Sequence, residues 1–460
     1  MSTPVAERRS TARRLSLDDL PVPRTDIELS DPPRYLRFTG EVGTPTKIVA
    51  LIRFHTHPMG VVVLDATRGP EWSTHAPQVW AEVGDAVNSH LESDGLRRVS
   101  DVNALSSGAC LQNPSESKGP RCLRRRDEVL ERAPFITVVV ATHDRPESAR
   151  ACLDALTSMV YPGFEIVVVD NDPSDERTAR MVMSYQDARV RYLREDQRGL
   201  ASAHNCGLAA ARGPIVAFVD DDVVVDAHWL TAIAEAFTST DGVGCVTGLI
   251  LPAQLETPAQ LLLEQHGGFD KGFEMRCFDD DRMRPADRLF PFTAGQFGSG
   301  ANMAFDTAIL RALGGFDPAI GAGTFARGGD DLASFFRVVT AGHRLVYQPA
   351  AVVWHRHHRD MPALCNQAYG YGVGLGAFVA SSVTRNPRTI LTLLRRLPRG
   401  LGYALRSSST RNRDRYTDLP AEIATLERRG LLFGPIAYLV SRWRTRHFSS
   451  LQSYGPGGTP

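Results

Sequence analysis

The stretch "IVAFVDDDVVVDAHWL" (215–230) sets Asp220, Asp221 and Asp222 directly behind five apolar residues. Three adjacent carboxylates repel one another, so a positive partner is expected beside them. Residues two apart in extended backbone project to the same side. Asp220 and Asp222 therefore face one way and Asp221 the other. Such a pair suits a hard divalent cation, Mg2+ or Mn2+, which takes carboxylate oxygens and bridges to phosphate. Two more acidic loops follow apolar runs: Thr142-His143-Asp144 and Asp170-Asn171-Asp172. Asp commonly caps a following helix. Capping accounts for one carboxylate per loop, as at Asp172, but poorly for three in a row.

The elements that must position these loops alternate. "FITVVVATHDRPE", "FEIVVVDND", "VRYLRED" and "PIVAFVDDD" read as strands, with the helices "SARACLDALTSMVYPG", "DERTARMVMSYQ" and "GLASAHNCGLAAARG" between them. Strands without a polar face, joined through helices by short loops, predict a Rossmann-like, mostly parallel sheet covered on both sides. Ligands in such sheets bind outside the carboxyl ends of the strands, where the acidic loops stand. Neither GxGxxG nor GxxxxGK[ST] follows a strand here, which argues against a dinucleotide or P-loop site.

Five segments, in order, resemble family 2 glycosyltransferases of the GT-A fold: "TVVVATHDRP", "YPGFEIVVVDNDPSD", "GLASAHNCGLAAARGPIVAFVDDDV", "FGSGANMAFDTAILRALGGFDP" and "GGDDLASFFRVVTAGHRLVYQPAAVVWH". They cover about half the chain. The resemblance implies transfer of a sugar from a nucleoside-diphosphate sugar to a hydroxyl. Asp144 and Asp170, in the loops opened by Thr142 and Asp170, would hold the base and ribose. Asp220 and Asp222 would form the DxD that carries metal and diphosphate, and His355, after the last strand, would complete the metal shell. Imidazole there suits Mn2+ better than Mg2+. Of the pair Asp330-Asp331, where many members read Glu first, Asp331 would be the general base and Asp330 a helix cap. Where many members read Arg-Asn this chain has His204-Asn205, so Arg198 stands in for a lost arginine contact beside Asn205. Asn302 in "GSGANMAF" lies on the acceptor side, with a sugar contact or a strand-end role both open. No QxxRW follows the acidic pair, which argues against a processive synthase.

The chain has 460 residues, 43% hydrophobic, with 52 basic and 52 acidic side chains. That length predicts more than one domain, and the balanced charge argues against a nucleic-acid partner. The expected division is a flexible tail to residue 30, a small α/β domain at 31–105, a linker at 106–133, the catalytic domain at 134–360 and a helical region at 361–460. In the small domain, β runs at 47–54 and 60–65 flank a turn around Pro58 and Gly60, and Val79, Val83, Val87 and Leu91 share a helical face. His55 and His57 read as solvated histidines rather than ligands. Seven dispersed cysteines without CxxC fit reduced thiols in a cytoplasm, and no zinc site is expected of Cys110 and Cys122. The N-terminus has no apolar signal core. "CFDDDR" (277–282) reads as a solvated loop in a strandless insertion.

The last hundred residues alternate apolar runs with arginines, Arg395, Arg396 and Arg399, then Arg442, Arg444 and Arg446. They predict either a packed cap or peripheral attachment at the inner face of a membrane. The acceptor stays open among a glycan, a lipid-linked molecule and a small molecule. Two rival readings are a sugar nucleotidyltransferase, which would need a Gly-rich phosphate loop after the first strand, and a catalytically silent glycan- or lipid-binding scaffold.

Overall fold

The computed structural model describes residues 14–39, 44–106, 119–279, 289–391, 393 and 421–452. The strands are β1 (Arg24–Glu28), β2 (Lys47–Phe54), β3 (His57–Asp65), β4 (Ile136–Thr142), β5 (Phe164–Asn171), β6 (Val190–Glu195), β7 (Ile215–Asp220), β8 (Val223–Val225), β9 (Val243–Pro252), β10 (Arg276–Phe278), β11 (Met303–Asp306) and β12 (Arg344–His355). The α-helices are α1 (Trp72–Ser93), α2 (Val102–Ser106), α3 (Arg121–Glu131), α4 (Pro146–Thr157), α5 (Arg177–Met183), α6 (Leu200–Ala210), α7 (Trp229–Ser239), α8 (Pro258–Gly267), α9 (Thr307–Ala312), α10 (Asp330–Thr340), α11 (Met361–Arg385) and α12 (Ala421–Gln452).

A nine-stranded sheet of order β10-β12-β9-β11-β7-β4-β5-β6, with β8 added on β12, forms the centre. The four strands expected from sequence, β7-β4-β5-β6, run parallel, while β11 enters antiparallel between β7 and β9. Each central strand feeds two cores, because successive side chains take opposite faces. Val138, Val140, Ile166, Val168, Ala217 and Val219 pack with α4, α5 and α7 on one side. Val139, Ala141, Val167, Val169, Val216 and Phe218 pack with α6, α9 and α10 on the other. The edge strand β6 is half-exposed and charged, as an edge must be to discourage further pairing. This doubly covered, parallel-rich sheet is the expected GT-A architecture.

The N-terminal unit begins earlier than its sequence suggests. β1, inside the expected tail, pairs parallel with β2, because Ile27 and Leu29 complete the core beneath α1. Leu15 and Val22 pack against Leu255 and Leu261 of the central unit. The β2–β3 turn is His55-Thr56 rather than Pro58–Gly60, with both residues left-handed (φ 52° and 66°), as a two-residue hairpin turn requires. Arg53 ties the units together, its guanidinium donating to Asp26 at 2.8 Å and Asp226 at 2.7 Å. The expected linker contains α3, and the expected strandless insertion contains β10 on the edge of the sheet. Residues 280–282 of that insertion lie outside the described residues.

In the C-terminal region α11 and α12 cross in backbone contact. A methyl on Gly372 or Gly376 would collide with the Glu427 or Leu431 carbonyl, and one on Gly430 or Gly434 with Tyr369 or Val373. Small residues four apart on both helices permit that approach. Gly329, left-handed at φ 88°, leaves no room for a Cβ against the Gly374 carbonyl, so α11 lies directly on the loop that opens α10. Asp317 pins both helices, accepting from Ser381 Oγ at 2.7 Å and Tyr438 Oη at 3.4 Å. Among the described residues no helix is long and apolar enough to cross a membrane. Leu432, Ile436, Leu439 and Trp443, spaced three to four apart on α12, are between 57 and 78% exposed.

Candidate active site

β7 ends at Asp220, and the turn Asp221-Asp222 that leads to β8 points Asp221 away from its two neighbours. Asp221 turns into the protein, where its Oδ2 accepts from Thr142 Oγ1 at 2.7 Å and its Oδ1 from Arg145 at 3.3 Å. Asp220, Asp222 and His355 present ligand atoms that all lie within 4.8 Å of one another. β8 pairs with the end of β12, Val223 opposite His355, which places the histidine beside the acidic turn. Two cations face the triplet: the Arg145 guanidinium, 3.5 Å from Asp222 Oδ2, and His355. Arg145 was not singled out in the sequence, although it stands directly after the first acidic loop.

Burial, with the charge of Asp222 next, pushes the Asp220 carboxyl up to about 7. Burial and Asp222 likewise raise Asp221 to about 6. Burial alone would raise Asp222 too, but His355 and Arg145 hold it below its ordinary value. A divalent cation fits this donor set by a separate observation. Asp222 Oδ1 is buried without a hydrogen-bond partner, yet lies 3.1 Å from His355 Nε2.

The far side of His355 fixes how the ring is oriented. His355 Nδ1 lies 3.0 Å from His357 Nδ1, and His357 Nε2 lies 2.6 Å from Glu264 Oε1 on α8. A carboxylate only accepts, so His357 Nε2 carries a proton and donates it to Glu264. His357 Nδ1 is then an acceptor, and His355 Nδ1 donates to it. Burial would lower His355, but Asp222 holds it above its ordinary value; a cation that displaces the Nε2 proton would meet a lone pair already aimed beside Asp222, the tautomer a ligand needs. This is the outer-shell arrangement that orients metal-binding histidines. His355 and His357 thus act in series.

Asp331 stands at the start of α10. Its Oδ2 accepts from Gly300 N at 2.9 Å and its Oδ1 from Leu332 N at 2.8 Å. Gly300 lies three residues before β11 opens at Met303, which pairs with Phe218, so Asp331 is held near the carboxyl end of β7. Burial, then Asp330, push its carboxyl up to about 6 against those two N–H groups. The N-cap of α10 is Gly329, not Asp330; Asp330 is buried with its Oδ2 3.5 Å from His204 Nδ1. Tyr371 of α11 stands edge-on to Phe269, whose ring in turn meets His355. Its hydroxyl accepts from Gln367 at 2.7 Å.

The remaining expected contacts separate. Asp170 is buried and raised by that burial; its Oδ2 accepts from Tyr192 at 3.1 Å, while its Oδ1 has no hydrogen-bond partner. Asp144, left-handed at φ 54°, accepts from Ser174 N at 3.0 Å. Arg198 is largely exposed, 3.9 Å from Asp172. Thr142 is engaged by Asp221. Asn205 is turned away from this edge: both ends of its amide bond the backbone of Phe316, at 2.9 and 2.8 Å. Asn302 is buried, accepting from Trp229 Nε1 and donating to the Leu249 and Ala351 carbonyls, which settles it as structural. Both asparagines are used to join segments distant in sequence.

A family model described as glycosyltransferase like family 2 matches residues 133–369, more than half of the chain. The pre-mycofactocin glycosyltransferase of Mycobacterium tuberculosis is 25% identical over 290 residues, 58% of this chain and 57% of that protein. Glycosyltransferase AglE of Haloferax volcanii is 32% identical over 119 residues, 25% of this chain and 39% of that protein. The chain thus spans little more than half of these relatives at most. Among solved structures it is similar to the mannosyltransferase PcManGT of Pyrobaculum calidifontis in complex with GDP-Man and Mn2+. That likeness has a TM-score of 0.41 and 20% identity over 67% of this chain and 85% of that one.

Proposed function

The chain belongs to glycosyltransferase family 2, and from that premise we propose a metal-dependent, inverting, non-processive transfer of a sugar from a nucleoside-diphosphate sugar to an acceptor hydroxyl. The observation that carries the reading is the convergence of Asp220, Asp222 and His355 at the sheet edge where Gly300 holds Asp331. Mn2+ or Mg2+ held by those three residues would neutralise charge developing on the diphosphate. Asp170, with its unpaired buried oxygen, and Asp144 hold the base and ribose at the neighbouring strand ends, with Arg198 at the rim. Asp331 takes the acceptor proton as the hydroxyl oxygen bonds to the anomeric carbon. The bond to the diphosphate breaks on the opposite face, so the configuration inverts. A carboxyl raised toward neutrality by burial is a better base than an ordinary aspartate.

The C-terminal pair supports a lipid-linked acceptor reached from the cytoplasmic face of a membrane. The exposed stripe Leu432–Trp443 lies on α12 with Arg428, Arg429, Arg442 and Arg444, the composition of an interfacial helix. Arg395, Arg396 and Arg399, of the other basic run, lie outside the described residues.

A thermal-shift screen of UDP-, GDP- and dTDP-sugars with Mn2+ tests the proposal. The matching donor should add roughly 2.7 kcal/mol at a hundredfold excess over Kd, and only with metal present. Donor binding that is indifferent to metal would overturn it.

A further inference from the structure

A second convergence of ligating side chains lies outside both the catalytic site and the matched region. His55 from the β2–β3 turn, His90 and Asp94 from the end of α1, and Cys122 from α3 bring one ligand atom each within 4.8 Å of the others. Cys122 Sγ is 3.3 Å from His55 Nδ1. Asp94 Oδ2 is 3.8 Å from His55 Nδ1 and 3.7 Å from His90 Nε2. Zinc bonds of 2.0–2.3 Å to N, O and S place tetrahedral ligands about 3.3–3.7 Å apart.

Hydrogen bonding within the cluster does not account for it. A thiol donating to His55 leaves Asp94 Oδ2 and His90 Nε2 buried without partners, and Asp94 is only 4% exposed. An unpartnered buried carboxylate oxygen is costly. The other oxygen of Asp94 is fixed by the Cys122 backbone N–H at 3.0 Å, which aims Oδ2 inward. Glu28 accepts from the backbone N–H groups of His55 and Thr56, at 3.0 and 2.8 Å, and fixes the turn that delivers His55.

We propose that His55, His90, Asp94 and Cys122 form a structural zinc site that fastens α3 to the N-terminal unit. A thiolate and a carboxylate together cancel the ion's two charges, which a buried site needs. Thiolate with imidazole selects zinc over the oxygen-seeking Mg2+ or Mn2+ of the catalytic edge. Four protein ligands leave no open position, as in closed structural sites. From α3, Arg126 bonds Thr56 in the same turn, and Arg125 lies 3.5 Å from Glu235 on α7. The ion would therefore brace the junction between the two units.

Cobalt substitution of the full chain is the direct test, since no cysteine stands among the candidate ligands of the catalytic edge. The Co2+ form should show a thiolate-to-cobalt charge-transfer band that persists in Asp222→Asn and disappears in Cys122→Ser. Zinc affinity should fall in His90→Ala by more than the 10- to 100-fold typical of outer-shell changes. If Cys122→Ser does not fold, the wild-type chain decides: removal of metal by a chelator should lower its Tm and zinc alone should restore it. A folded wild-type chain with no charge-transfer band, or one whose Tm is indifferent to zinc, overturns the proposal.

Discussion

The two clusters of ligating side chains differ in how they are drawn from the chain. The catalytic edge takes Asp220 and Asp222 from one turn, and a single antiparallel pairing of β8 with β12 adds His355. The junction cluster takes four residues from a hairpin turn, a helix end and a second helix, spread from 55 to 122. In the first, Asp220 and Asp222 are only partly buried, and Gly300 holds the raised carboxyl of Asp331 at the same sheet edge. The second is enclosed by its own ligands. Local assembly leaves coordination positions for substrate, whereas assembly from distant segments serves to hold those segments together. If that division is right, changes at one cluster should leave the other's signature intact.

The largest separation is expected at Asp331. Asp331→Asn should lower turnover by about 100-fold or more, the scale of a general base, with nucleotide binding and zinc content unchanged. Steady-state kinetics beside metal analysis checks both halves, and full activity would transfer the assignment to Asp330. Next comes the outer shell: His357→Ala should weaken Mn2+ binding by about 10- to 100-fold and leave the cobalt–thiolate band in place, read by titration calorimetry and absorbance.

The pH profile sharpens the role of Asp331 further. Burial raises its carboxyl to about 6, and a base works only when ionised. The rate should therefore fall about tenfold per pH unit below 6 and level off above it. Residual activity of Asp331→Asn should lack that acid limb. The smallest effect belongs to Asp221. Since it faces Thr142 and Arg145 rather than the cation site, Asp221→Asn should change metal-dependent donor binding much less than Asp222→Asn. Its stability cost should stay within about 1 kcal/mol, one ordinary hydrogen bond. Equal losses of donor binding in the two variants would break the alternation argument.

The legible parts of the sequence were those set by local rules. Apolar runs without a polar face located β4, β5 and β7, and the separate orientation expected of Asp221 is found, although a turn and not an extended strand produces it. The partners of Asn205 and Asn302 could not be read, because a buried amide can bond backbone from segments roughly fifty to a hundred residues away, and nothing in their local sequence announces Phe316 or Ala351. His55 was read as solvated for the same reason: its burial comes from α1 and α3, not from its own strand. β1 was hidden by a polar, Pro-flanked setting, and only its pairing with β2 makes a strand of it. Arg145, Tyr371 and Glu264 belong to this class, being charged or polar groups brought to the site by tertiary packing.

The contact between Gly329 and Gly374 has a dynamic consequence. Side chains between packed elements absorb small displacements by changing rotamer, but here backbone meets backbone with no side chain between. The loop that leads into Asp331 and the helix α11, itself joined to α12 by glycine contacts of the same kind, should then open to solvent together. Their amides should exchange hydrogen as one cooperative unit. Occupancy of a surface by α12 would slow exchange at Leu332 as well as within the helices.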